Sequence, residues 1–114
     1  TFEATVTGND FVIVDFWAPW CGPCRSFAPT YEKVSEDFPN VVFAKVNTEE
    51  QMDLAAHVQV RSIPRLAIFR EQILIFAQPG ALPASSFAQL IQQARELDMD
   101  KVRTDIAAQQ KQNA

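Results

Sequence analysis

The chain has 114 residues, 47% hydrophobic and 21% charged, and ten Lys and Arg against fourteen Asp and Glu give a formal charge of −4. Such a chain can bury one core, so we expect one folded domain. The longest apolar run, residues 73–77, is far below the ~20 residues that cross a bilayer, and an acidic balance with scattered cations argues against nucleic-acid binding. Two Cys and one His are too few for a four-ligand structural zinc site.

The first half of the chain alternates strand and helix patterns. Residues 11–17 form a β-branched and aromatic run, typical of a strand buried on both faces. From residue 21 an apolar stripe with helical spacing predicts a helix that Pro39-Asn40 ends. Its members are Phe27, Tyr31, Val34 and Phe38. Residues 41–46 then predict a second strand and residues 49–58 a shorter helix, so the order is β-α-β-α.

The second half predicts a hairpin followed by a helix. After a linker at 59–62, residues 63–69 and 73–77 read as strands, and the connection between them is too short for a crossover helix, so they are expected to be antiparallel. Gly80 precedes a last helix with Pro83 in its first turn. We therefore predict an α/β fold over residues 1–97, with a central mixed sheet flanked by helices, and a C-terminal extension over 98–114 that forms a marginal helix or tail.

Cys21-Gly22-Pro23-Cys24 stands where the buried strand passes into the helix. A helix places residues three apart on one face, so the two sulfurs can meet and close a disulfide. The N-terminal N–H groups and the helix dipole stabilise a thiolate at Cys21, which makes it the nucleophile, and Cys24 then resolves the mixed disulfide. Two inert core thiols or half of a metal site are the alternatives that the spacing leaves open.

Asp15 interrupts the buried strand, and a carboxyl there must find a partner or hold a proton near neutral pH. One hypothesis is that Asp15 accepts the proton of Cys24 in the second step. The other is a structural ion pair with Lys45, the one charge in the neighbouring strand; the two are compatible. Trp20 is expected on the surface beside Cys21, and His57 is expected to be a surface or partly buried residue without a catalytic role.

Together these residues resemble the thioredoxin family over about positions 1–97. The motifs that carry the resemblance are Val14-Asp15-Phe16-Trp17-Ala18, Trp20-Cys21-Gly22-Pro23-Cys24, Ala28-Pro29, Ser62-Ile63-Pro64 and Gly80-Ala81-Leu82. The resemblance implies a three-layer sandwich, a cis peptide at Pro64 facing the cysteines and a peptide-binding groove. The residues that it assigns to this docking surface are Trp20, Gly22, Pro23, Ile63, Pro64, Gly80 and Ala81. Asp15 and Lys45 match the family's buried acid and its lysine partner.

The function implied by the resemblance is reduction of disulfides in substrate proteins by a monomeric cytoplasmic enzyme without a cofactor, re-reduced by an NADPH-dependent thioredoxin reductase. Competing hypotheses are a thiol oxidase or isomerase of an oxidising compartment and a non-catalytic binding or chaperone subunit that uses the same groove. An iron–sulfur site shared between two chains is a more distant alternative. The Gly-Pro between the cysteines favours the reductase by family analogy.

The sequence also departs from the family pattern. Arg65 follows Pro64 where the family usually has Thr, and a long cation there is expected to affect substrate choice or the thiolate pKa. The connection at 70–72 lacks the Gly that commonly turns this hairpin, so a different turn is expected. The family's first edge strand is not found in this sequence, which predicts an exposed sheet edge.

Overall fold

The computed structural model describes residues 2–57 and 62–113. The elements are α1 (Phe2–Thr7), β1 (Phe11–Trp17), α2 (Gly22–Ser35), β2 (Val42–Asn47), α3 (Met52–His57), β3 (Arg65–Arg70), β4 (Ile73–Pro79), α4 (Ala84–Glu96) and α5 (Met99–Asn113). Within these ranges no helix is both long and apolar enough to cross a membrane.

The described strands form one mixed sheet in the order β2-β1-β3-β4. Strand β1 is parallel to β2 and antiparallel to β3, and β3 is antiparallel to β4. The predicted α/β fold with a mixed central sheet is therefore confirmed. Strand β1 is central and covered on both faces, which agrees with the buried strand that the apolar run of residues 11–17 predicted. Strand β2 lies at one edge of this sheet, with β1 as its described neighbour.

Two apolar clusters cover the two faces of the sheet. One contains Ile13 of β1, Phe27 and Tyr31 of α2 and Phe87 of α4. The other contains alternate residues of β1 and is covered by α1 and α3, with Phe2 and Leu54 packed against it. Helices thus lie on both faces, as the fold class requires.

The observed boundaries differ from the predicted ones at several places. The third strand begins at Arg65 and not at residue 63, and α3 begins at Met52 and not at residue 49. Pro83 is the N-cap of α4 and not part of its first turn. Val58, the linker residues 59–61 and the expected placement of the His57 side chain lie outside the described residues.

The connection between β3 and β4 is a two-residue turn in which both residues are left-handed, with φ of 50° at Glu71 and 69° at Gln72. Turns of this kind match the twist of a hairpin but favour Gly or Asn. Here a salt bridge from Arg103 of α5 to Glu71 holds the turn, at 2.7 Å between Nη1 and Oε1. Most of the extension is thus a helix, α5 (Met99–Asn113), which contacts the turn through Arg103.

Candidate active site

Cys21 is the N-cap residue of α2, with extended backbone angles of φ −83° and ψ 111°. Its Sγ accepts a hydrogen bond from the backbone N–H of Cys24 at 3.1 Å, so the sulfur occupies the position that a capping oxygen usually takes. The two cysteines form a disulfide, and both are buried. When that bond is reduced, the same N–H group and the helix dipole favour negative charge on Cys21.

The turn before α2 presents Trp20 to solvent. The N–H of Cys21 donates to the carbonyl oxygen of Ala18 at 3.1 Å, and the Arg25 guanidinium donates to the carbonyl oxygen of Pro19 at 2.8 Å. These bonds fix both ends of the turn, and the Trp20 side chain between them is 66% exposed. An exposed aromatic surface therefore lies directly beside the disulfide in sequence and space, as the sequence predicted.

The segment before β3 packs against the disulfide. Ile63 contacts the small cluster formed by Ala18, Cys21 and Cys24, and the peptide bond between Ile63 and Pro64 is cis, as the resemblance implied. The carbonyl oxygen of Pro64 accepts a hydrogen bond from Gly80 N–H at 2.8 Å.

Several of the residues predicted for the docking surface are accessible. Pro23, Ala81 and Trp20 are exposed, and Gly22, Ile63 and Gly80 are partly exposed, whereas Pro64 is buried. The chain thus brings three separate segments, around residues 20–24, 63–64 and 80–81, to the same end of the sheet.

Asp15 is fully buried, and both of its carboxylate oxygens lack a hydrogen-bond partner in the described part of the chain. It lies in register with Leu66 of β3, whose side chain belongs to the cluster beneath α2 and α4, so the carboxyl faces the helix that carries the cysteines. Burial raises the pKa of Asp15 from 3.8 to about 6, and the nearby charge of Lys45 partly opposes this rise. The carboxyl therefore changes protonation close to neutral pH.

Lys45 is paired with Asp15 in the register of the parallel strands β1 and β2. The two side chains form no salt bridge in the described structure; instead, the Lys45 Nζ lies 5.1 Å from the centroid of the Trp17 ring. The ion pair that the sequence left open is thus not formed. Lys45 acts on Asp15 through a longer-range charge interaction, which leaves the carboxyl available to hold a proton.

Sequence reasoning assigned Tyr31 to the core and missed its polar contacts. The Tyr31 hydroxyl lies 2.6 Å from the carbonyl oxygen of Ala44 and 3.0 Å from that of Ile13, and it donates its single proton between them. Burial, followed by the negative charge of Asp15, raises the pKa of Tyr31 above its ordinary range. A Tyr in an apolar helical stripe gives no signal of which carbonyl groups it will meet.

Arg65 is partly buried at the start of β3, in register with Phe16 and Pro79. Its guanidinium forms no hydrogen bond or salt bridge with any residue in the ranges that the structure describes. Since it directly follows Pro64, it places a positive charge at the end of the sheet where the cysteines lie.

A pair of cysteines at the N-terminus of a helix, joined as a disulfide above a buried carboxyl of raised pKa, is suited to cycle between dithiol and disulfide. In the described residues no group of three or more His, Cys, Asp and Glu side chains is arranged to hold a metal ion. The fold and the site together define a thiol–disulfide oxidoreductase.

The chain belongs to the thioredoxin family, because residues 1–93 match the family model described as Thioredoxin. It is 56% identical over 111 residues to a protein named "Putative thioredoxin 2" from Streptomyces coelicolor, a match that covers 97% of this chain and 83% of that protein. The crystal structure of thioredoxin F from spinach chloroplast, in its short form, has a TM-score of 0.77 at 32% identity, over 84% of this chain and 88% of that one.

A third similar protein is the oxidised thioredoxin from Plasmodium falciparum, whose solution structure has a TM-score of 0.74 at 33% identity, over 82% of this chain and 88% of that one. The fold and the disulfide therefore agree with the family. The chain is a protein-disulfide reductase of the thioredoxin type that acts on disulfides in protein substrates.

Proposed function

We propose that the reaction proceeds in two exchange steps. The Cys21 thiolate attacks one sulfur of the substrate disulfide, which breaks the substrate S–S bond, forms a mixed disulfide and releases the other substrate sulfur as a thiolate. Cys24 then attacks Sγ of Cys21, the Cys21–Cys24 disulfide forms, and the second substrate thiol leaves. Two electrons pass from the dithiol to the substrate. The hydrogen bond from Cys24 N–H to Cys21 Sγ is the observation that carries this assignment of roles.

Asp15 is the proton acceptor for Cys24 in this proposal. A pKa of about 6 leaves its carboxyl mostly ionised at pH 7 and still basic enough to take a proton, and its position beneath α2 supports the assignment. Lys45 tunes the carboxyl by its charge. Trp20, Gly22, Pro23, Ile63, Pro64, Gly80 and Ala81 form the docking surface.

The cycle needs a source of two electrons, which we assign to an NADPH-dependent thioredoxin reductase. We further propose that the protein works as a monomer in the cytoplasm and that residues 1–97 form the catalytic domain. The match of residues 1–93 to the Thioredoxin family model supports the domain bounds, and the other assignments are what membership of that family implies.

The test follows single turnovers of the reduced protein with a fluorescently labelled disulfide peptide. Asp15→Asn is expected to slow resolution of the mixed disulfide by about 100-fold or more, the usual scale of a lost general base, while formation of the mixed disulfide changes little. Cys24→Ser should accumulate the mixed disulfide, and Cys21→Ser should not form it. Unchanged resolution in Asp15→Asn would remove Asp15 from the mechanism.

The competing binding-subunit and oxidase functions are separated by two measurements. A double variant, Cys21→Ser with Cys24→Ser, loses the activity of a reductase but keeps that of a binding subunit. The reduction potential of the Cys21–Cys24 pair, measured against a thiol/disulfide buffer, is expected to be as negative as that of a reducing thiol–disulfide enzyme. A value of ~−120 mV would indicate an oxidase.

A further inference from the structure

A groove of about 350 Å³ opens beside the active disulfide, between α2 and the segment that precedes α4. Its α2 wall is formed by Pro23, Ser26, Phe27 and Thr30, and its other wall by residues 81–83. Its volume lies in the range of small binding pockets, roughly 300–1,000 Å³.

The second wall of the groove is held in place by its backbone. Gly80 N–H donates to the carbonyl oxygen of Pro64, and Ala81, with φ of 63°, turns the chain through a left-handed conformation. Pro83 fixes its own φ and caps α4. The wall is therefore formed before anything binds, which lowers the entropy cost of binding.

The groove is continuous with the active site at one end. Pro23 lies between the two cysteines, and Ala81 follows the Gly80 that is bonded to Pro64. Residues that flank a reacting cysteine in a substrate chain come close to the open end of this groove, because the groove begins at Pro23 between the two cysteines. The substrate polypeptide is therefore the occupant that the geometry selects.

The lining residues indicate which substrate side chain fits. The groove is lined by the apolar residues Phe27, Leu82 and Pro83 and by the small polar residues Ser26 and Thr30, and none of its described lining residues is charged. An apolar side chain gains free energy by burial there, whereas a charged one would lose its hydration without a partner.

We propose that this groove is a specificity subsite that accepts an uncharged, apolar side chain located a few residues from the substrate cysteine. The proposal rests on the proposed function, since the dithiol chemistry brings the substrate to the groove. Selection then operates on the sequence around the disulfide and not on the disulfide alone.

The test uses short disulfide peptides in which one position is Phe, Lys or Glu, with that position moved stepwise along both sides of the cysteine. At one position the wild type is expected to prefer Phe over Lys and Glu by about 10-fold in kcat/KM, the scale of a filled apolar pocket. Ser26→Trp, which fills the groove, should abolish that preference. Ser26→Glu should shift it towards the Lys peptide.

The control variants Gln93→Trp and Gln93→Glu add the same groups to an exposed position of α4 outside the groove, and are expected to keep the Phe preference. A wild type without a positional preference, or a preference that survives both Ser26 variants, overturns the subsite. Reduction of a small aromatic disulfide by the wild type is measured in parallel. Its absence would instead overturn the dithiol mechanism.

Discussion

The backbone N–H of Gly80 donates a hydrogen bond to the carbonyl oxygen of Pro64 at 2.8 Å, and this contact joins two segments of the proposed docking surface. The approach is close enough that a Cβ on Gly80 would lie 3.2 Å from the Pro64 Cβ and 3.3 Å from its carbonyl carbon. A rigid proline ring and a backbone carbonyl cannot move aside easily. The close contact with Pro64 therefore favours a residue without a side chain at position 80.

Gly80→Ala is therefore expected to destabilise the protein by about 1–2 kcal/mol, as overpacking against fixed atoms does. Gly22→Ala is the matched control, because a Cβ at Gly22 meets nothing within 4 Å, and its effect should stay within about 0.5 kcal/mol. Urea unfolding of the oxidised proteins measures both. Equal losses in the two variants would show that the contact with Pro64 is not the cause.

The buried Asp15 predicts an unusual pH dependence of stability. Its pKa is about 6 in the folded protein and 3.8 as an isolated group, so between these values the folded state holds a proton that the unfolded state releases. The free energy of unfolding therefore falls as pH rises from about 4 to about 6, by about 3 kcal/mol at 1.36 kcal/mol per unit. Above about pH 7 this loss is complete.

Asp15→Asn removes the titrating group. At pH 8 the free energy of unfolding of this variant, measured with urea, should exceed that of the wild type by about 1–3 kcal/mol. The difference should shrink as the pH falls below 4. Asp37→Asn, at an exposed position, controls for the loss of one negative charge. A wild type that remains the more stable protein at pH 8 would contradict the prediction.

Arg65 is expected to influence which charged substrates are reduced. A cation without a described partner at this end of the sheet attracts acidic peptides and repels basic ones. At low salt, Arg65→Thr should reduce the ratio of kcat/KM for Glu-flanked peptides to kcat/KM for Lys-flanked disulfide peptides by about 3- to 10-fold. In the wild type, 0.5 M salt should bring this ratio closer to one, because salt screens the charge of Arg65. Lys101→Thr, an exposed cation of α5, is the control and should leave the ratio unchanged.

The left-handed turn at Glu71 and Gln72 predicts a stabilising substitution. Gln72 has φ of 69°, which costs little for Gly and more for a residue with a Cβ. Gln72→Gly should raise the free energy of unfolding by about 0.5–1 kcal/mol. Gln89→Gly, in the exposed part of α4, should lower it by about 1 kcal/mol. Destabilisation by both would mean that the Gln72 side chain matters more than its backbone angle.

The order and type of the elements from β1 to α4 followed from hydrophobic spacing, and the active cysteines from their position between a strand and a helix; α1 was not predicted from spacing. Contacts between residues far apart in the chain could not be predicted from these patterns. The Tyr31 hydroxyl reaches carbonyl groups on two strands, and the Lys45 amino group lies over Trp17 and forms no salt bridge with Asp15. Such contacts depend on side-chain directions set by the packed fold, which local periodicity does not encode. The conformation of the turn at Glu71 could not be predicted either, because Arg103, which forms a salt bridge with Glu71, lies far along the chain.

Strand β3 carries an arginine at each end, and the two differ in their surroundings. Arg70 donates from one nitrogen to the carbonyl oxygens of Ala94, Arg95 and Leu97, at 2.9, 3.0 and 3.3 Å, and so ties the strand to the end of α4. Arg65 makes no such bond within the described ranges. Substitutions at position 65 can therefore change the end of β3 beside the active site without breaking the hydrogen bonds that anchor its other end. One short strand thus separates a position that is free to evolve from one that keeps the fold stable.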